Sequence, residues 1–240
     1  MIKVEAISKS FKDTIVLDEI SFEIKKGDFI AIMGPSGSGK STLLYSISGM
    51  DSISAGKVFF DDINISNMRE NVLSGFRLNK MGFVFQNVQM LKNLSIYDNI
   101  ILPALVAKKE SAESIKKHAK TLMKKMEIEG LENRDVREVS GGQLQRASIC
   151  RAMINHPDIL FLDEPTGALN SGATDQVLNI LEDLNREGMT IMTVTHEPHV
   201  AARAKKVLYV IDGQIVAQKE FDGSVDREKE LAIWLEEMQF

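Results

Sequence analysis

The sequence predicts an α/β fold with an inserted helical subdomain, and three observations carry the prediction. Two continuously apolar runs, Phe29–Met33 and Ile159–Leu162, have no polar face, which suits strands buried on both sides of a parallel sheet. A third such run, Thr190–Val194, follows the second after a helix expected at about residues 173–187. Alternation of strand and helix in this way marks a βαβ core. From about residue 108 to 128 the period changes to that of a helix. There Ile115, Ala119, Leu122, Met123 and Met126 form an apolar stripe, opposed by Lys116, Lys117, Lys120, Lys124 and Lys125.

The remaining elements follow from their turn signals. Ser21-Phe22-Glu23-Ile24 alternates apolar and polar residues before Lys25-Lys26-Gly27-Asp28, as short antiparallel strands do. The helical stretch is bracketed at 86–157, leaving 1–85 and 158–240 as the core of one domain. The 240 residues suffice for one sizeable core. Twenty-nine Lys and Arg against 34 Asp and Glu give a net charge of −5, which argues against a general nucleic-acid binder. One Cys excludes an intramolecular disulfide and fits a reducing compartment. No stretch approaches the ~18 apolar residues of a membrane span, and the first residues lack a signal-peptide pattern. The expectation is a cytoplasmic chain.

Chemistry concentrates first at Gly34-Pro35-Ser36-Gly37-Ser38-Gly39-Lys40-Ser41-Thr42, which matches G-x-x-x-x-G-K-[ST] between an apolar strand and a helix. Glycines let the backbone turn tightly and aim successive N–H groups at one anion. The helix that follows adds its partial positive charge. Lys40 is expected to reach the β- and γ-phosphates, and the Ser41 hydroxyl to ligate Mg²⁺.

A second motif closes the run Ile159–Leu162 with Asp163-Glu164-Pro165. In an open α/β sheet ligands sit beyond the carboxyl ends of the strands. Asp163 is therefore expected to hold Mg²⁺, and Glu164 to polarise an attacking water as general base. A third motif, Ser140-Gly141-Gly142-Gln143, reads as an S-x-x-Q capping box opening a helix whose two glycines leave amides uncovered.

The order of these motifs, followed by Thr195-His196, resembles the ATP-binding subunit of ATP-binding-cassette (ABC) transporters over essentially the whole chain. The resemblance implies a P-loop NTPase core with a mainly parallel sheet, N-terminal antiparallel strands and the inserted helical subdomain. By position, Gly34 to Thr42 are similar to the Walker A loop, and Asp163 and Glu164 to the end of Walker B. Gln86 is similar to the Q-loop glutamine that touches Mg²⁺. Ser140, Gly141, Gly142 and Gln143 are similar to the signature that caps the γ-phosphate of ATP held by the opposite subunit. His196 is similar to the switch histidine. Phe11 occupies the place of the aromatic that stacks on adenine, with Val16 lining the same face. Two positions depart from the family pattern: Phe11 stands where Tyr is common, and Asn170 where Asp is common.

The implied machine is an ATP-driven homodimer using ATP and Mg²⁺, peripheral on the inner face of the cell membrane and docked on an integral membrane permease. Within the family, the stretches 81–86, 96–100 and 163–171 resemble the macrolide-exporter, lipoprotein-release and bacitracin-type peptide-resistance group. Gly167 to Ser171 leans towards the antimicrobial-peptide branch. The alternative is an ATPase that regulates a cell-wall-remodelling partner without transport. Soluble relatives in DNA repair or translation carry long coiled coils or a second cassette, and the sequence shows neither heptads nor a second phosphate loop.

Several other residues are read as structural. Cys150, Met123 and Met126 are expected in the core, and the Lys pairs on a solvated face. His196 and His199 share a spacing used by some metal sites, but no Cys accompanies them and Pro198 intervenes. Ala232 to Leu235 is expected to form a short amphipathic helix, with Trp234 packed on the core or on a partner.

Overall fold

A computed structural model describes residues 1–221 and 226–238. The chain divides into two compact units, residues 1–69 with 184–240, and residues 70–183.

The first unit holds two sheets. In one, β1 (Ile2–Phe11), β2 (Thr14–Ile24), β4 (Ala55–Phe60) and β5 (Ile63–Asn64) pair in the order β2-β1-β4-β5, antiparallel throughout. Strands β1 and β2 are longer than the short strands expected, because bulges let them twist without breaking. Ala6 and Glu19 take positive φ there, and their amides donate to Ser21 Oγ and Ser8 Oγ. In the other sheet, β3 (Phe29–Met33) pairs in parallel with β8 (Thr190–Val194) and β9 (Lys206–Ile211), and β10 (Gln214–Glu220) closes the edge antiparallel to β9. All five residues of β3 and of β8 are buried, as expected for strands covered on both faces. Helices α1 (Lys40–Ile47), α7 (Pro198–Ala201) and α8 (Arg227–Glu237) complete the unit. Trp234 lies edge-on to Tyr209, with ring centroids 6.3 Å apart, so the C-terminal helix packs on its own unit.

The second unit builds helices around a parallel pair, β6 (Met81–Val84) and β7 (Ile159–Asp163). Its helices are α2 (Glu70–Lys80), α3 (Ile96–Ala107), α4 (Ala112–Lys125) and α5 (Gly141–Met153), and α6 (Ser171–Arg186) carries the chain back to the first unit. Helix α4 buries the predicted stripe: Ile115, Ala119, Leu122 and Met123 are all within 4% exposure, and Met126 beyond its end is fully buried. Ser95, Ser111 and Ser140 each cap a helix by accepting an amide hydrogen. The phenyl rings of Phe83, Phe85 and Phe161 stack across the strand pair. Cys150 is fully buried, and burial pushes its thiol up, so it is a packing residue.

Candidate functional site

The phosphate loop lies between β3 and α1, and its shape is fixed by three glycines at positive φ: Gly34 (148°), Gly37 (82°) and Gly39 (96°). Two of them are close approaches as well as turns. A Cβ on Gly34 would stand 2.0 Å from the Val210 carbonyl oxygen, and one on Gly39 would stand 2.8 Å from that of Val16. Strands β2 and β9 therefore clamp the loop from outside. A further backbone bond ties it down, with the Gly213 amide donating to the Ser38 carbonyl at 3.1 Å. Gly37, at the apex, has nothing within 4 Å of where a side chain would grow, so the face a ligand would approach is open.

This loop suits phosphate on its donor chemistry. Helix α1 begins from Gly39 with no side chain capping it and no acidic residue in its first turn. Its N-terminal partial positive charge, with no acidic side chain set against it, suits an anion. Lys40 is 8% exposed and its ammonium donates to the Pro35 carbonyl at 2.7 Å, which folds the charge back over the loop. Ser38 Oγ is buried and has no hydrogen-bond partner, an arrangement that costs about 1–3 kcal/mol unless a ligand supplies one. Ser41 and Thr42 are half-buried in the first turn.

Elsewhere in the first unit, Phe11 is 50% exposed at the end of β1, facing Thr14 across the hairpin. Val16 is half-buried beside Gly39. Thr195 is fully buried after β8, its amide donating to the Ile32 carbonyl and its hydroxyl accepting from Glu197. That fixes the turn carrying the exposed His196. His199 is not a freely solvated residue: its Nδ1 lies 3.1 Å from Glu228 of α8.

In the second unit, Asp163 ends the fully buried β7 at 8% exposure, and Glu164 follows at φ 47°. A non-glycine residue held in the left-handed region is strained by about 1–3 kcal/mol, and such residues cluster at functional sites. The turn closes with the Gly167 amide donating to the Glu164 carbonyl at 3.2 Å. The unit brings Gln86 to this turn, where its Nε2 would lie 3.1 Å from a Cβ on Gly167. The signature also reaches it, since a Cβ on Gly142 would meet Ala173 of α6 at 3.0 Å, and one on Gly141 would meet Leu169 at 3.6 Å.

The capping box read from Ser140 and Gln143 is present. The Gln143 amide donates to Ser140 Oγ at 3.3 Å, and Gln143 Oε1 accepts from the Ser140 amide at 2.9 Å. Asn170, which stands where Asp is common, has its side chain engaged locally: Oδ1 accepts from the Ala173 amide at 2.9 Å, capping α6. An uncharged amide performs that cap as well as a carboxylate does.

Sequence reading passed over Asn99. It is 1% exposed, its Oδ1 accepts from the Leu91 amide, and its Nδ2 donates to the carbonyls of Leu91, Leu94 and Ser95. It thereby pins the segment that follows Gln86. A buried Asn in an apolar helix was the available signal.

Residues 17–167 match the family model described as ABC transporter. The chain belongs to the ABC transporter family. The cassette is 38% identical over 222 residues to the lipoprotein-releasing system ATP-binding protein LolD of Leptospira interrogans, covering 92% of this chain and 93% of that protein. It is 41% identical over 217 residues to the macrolide export ATP-binding/permease protein MacB of Campylobacter jejuni, covering 90% of this chain but only 34% of that longer protein. Among solved structures it resembles the dimeric cassette MJ0796 from Methanocaldococcus jannaschii, with a TM-score of 0.87 and 35% identity, over 93% of this chain and all of that one. A second structure of MJ0796, in a post-hydrolysis state bound to ADP and Pi, gives a TM-score of 0.86. The protein is an ATP-binding, ATP-hydrolysing subunit of an ABC transporter with the P-loop NTPase fold. Among the described residues no helix is long and apolar enough to cross a membrane.

Proposed function

We propose that this cassette hydrolyses MgATP as a homodimer and drives a separate integral membrane permease, on whose inner face it sits. The observation that carries this reading is the phosphate loop. It combines a helix terminus without a side-chain cap, an inward lysine and a buried Ser38 hydroxyl without a partner, a donor set suited to phosphate. The loop amides and Lys40 hold the β- and γ-phosphates, and Ser36 to Thr42 line the nucleotide. Ser41, Asp163 and Gln86 are the residues that correspond to the family's magnesium-holding positions. Bound there, Mg²⁺ would neutralise charge on the phosphate oxygens. Glu164 orients and deprotonates water, His196 senses the γ-phosphate, and Phe11 with Val16 receives the base.

The Ser140–Gln143 terminus is proposed to complete the partner's site, following the dimeric assembly of MJ0796. Two bound nucleotides then act as interface, and mass action favours the closed dimer until hydrolysis removes the γ-phosphate contact. Residues 86–157 would move as the helical subdomain against a core of 1–85 and 158–240. The cargo is read as an antimicrobial peptide, a macrolide or a lipoprotein-like molecule, since LolD and MacB act in lipoprotein release and macrolide export.

Glu164→Gln tests the scheme. The variant should bind ATP, lose at least about 100-fold in turnover, and accumulate as an ATP-bound dimer on size-exclusion chromatography. Turnover near wild type would remove Glu164 from its role.

A further inference from the structure

The hairpin that carries Phe11 hides a cation. Ile2 and Val4 point inward from β1, but the bulge at Glu5–Ala6 inverts the alternation, so that Ile7 and Lys9 become the buried positions. Lys9 is 6% exposed. Its ammonium donates to Asp51 Oδ1 at 2.7 Å and to the Ser52 carbonyl at 2.6 Å. Those bonds offset the desolvation of a buried charge. They also hold the ammonium 4.7 Å from the centroid of the Phe11 ring, two residues along the same face of the strand.

The geometry points to Lys9 as a positioning residue for the nucleotide base, acting through Phe11. This rests on the reading of Phe11 as the platform for the base. A flat ring has two faces. One is occupied by the Lys9 ammonium, and with Phe11 half exposed the other is open to solvent. A phenylalanine has no hydroxyl with which to fix its orientation, so attraction between the ammonium and the ring quadrupole does so instead. The cation also draws π density away from the open face, which strengthens an offset stack with an electron-rich purine. Asp51 and Ser52 belong to the segment between α1 and β4, so the tether joins the base platform to the end of the helix that opens at the phosphate loop.

The test is ADP affinity by calorimetry, combined with KM and kcat for ATP, in Lys9→Met, Phe11→Leu and the double variant. Lys9→Met should weaken ADP about three- to tenfold and raise KM by the same factor while kcat changes less than twofold. Lys9→Arg should restore affinity to within twofold. In the Phe11→Leu background, Lys9→Met should have no further effect. Wild-type affinity in Lys9→Met, or an equal loss in both backgrounds, overturns the inference and leaves the stacking platform intact. Wild-type affinity in Phe11→Leu overturns the platform itself. If Lys9→Met does not fold by circular dichroism, Asp51→Asn, which frees the ammonium without removing it, should weaken ADP in the same direction; unchanged affinity there overturns the inference.

Discussion

Two helix N-termini in this protein are proposed to meet phosphate, and they are built in opposite ways. Helix α1 starts from a left-handed glycine with no side-chain cap. Helix α5 starts from a capping box in which Ser140 and Gln143 satisfy one another's amides. The first has no side-chain cap, carries its own lysine and is clamped by β2 and β9. The second is complete as a helix terminus, and its glycines at the first two positions are what remain for a ligand. A phosphate holder must give up local stability to keep donors free. A terminus that only closes over a phosphate held elsewhere can be stable beforehand.

That contrast sets an order of expected effects. Lys40→Ala should reduce ATP turnover by about 10²–10³-fold, read as phosphate release, because backbone amides supply only partial charge in place of its full one. Gly39→Ala should cost about 2–3 kcal/mol of stability, measured by urea unfolding, since it forces a Cβ to within 2.8 Å of the Val16 carbonyl at φ 96°. Ser140→Ala should cost only about 1 kcal/mol, lowering Tm by about 2–4 °C, because a capped terminus loses one bond rather than its conformation. A loss in stability for Ser140→Ala larger than for Gly39→Ala would reverse the comparison.

The smallest effect lies in the second unit away from both termini. His118 stacks on His156 with centroids 4.0 Å apart, and Glu110 lies 3.5 Å from His156. Burial first, and the neighbouring imidazole second, hold His118 below its ordinary value, although Glu110 and the Met153 carbonyl oppose this. The unfolded chain then binds a proton that the folded chain does not. Stability should be full above about pH 6.5 and decline on acidification through the ordinary histidine range. His118→Phe should flatten that decline when unfolding is compared at about pH 7.5 and 5.5, and an unchanged slope would place the titration on another group.

The buried strands and the α4 stripe were legible because their signals are local. Runs with no polar face can only be strands covered on both sides, and a stripe at helical spacing has only one face to bury. The capping box was legible for the same reason, since both its bonds lie within three residues. Helix α2 was not anticipated, and α3 was bracketed only as part of the helical stretch 86–157, without bounds of its own. Helix α3 is apolar on most sides and carries Pro103, which reads as a break, and Pro is tolerated there because the surrounding helices hold the turn. Strand β9 carries the same apolar signal as β3 over residues 207–211 and was passed over all the same, while β10, at the sheet edge, alternates only between exposed and half-buried residues.

By itself the sequence determined which residues are proposed to carry the phosphate chemistry. Glycine spacing, a lysine and carboxylates after an apolar strand are required by the geometry of a bound polyphosphate wherever the chain takes them. Tertiary structure decided which neighbours those residues meet. Asn99 pins the segment after Gln86, and a bulge at Ala6 turns Lys9 inward beneath Phe11. The reason is physical: a bulge shifts every later side chain to the opposite face, and no local pattern records a contact made across 42 residues of chain.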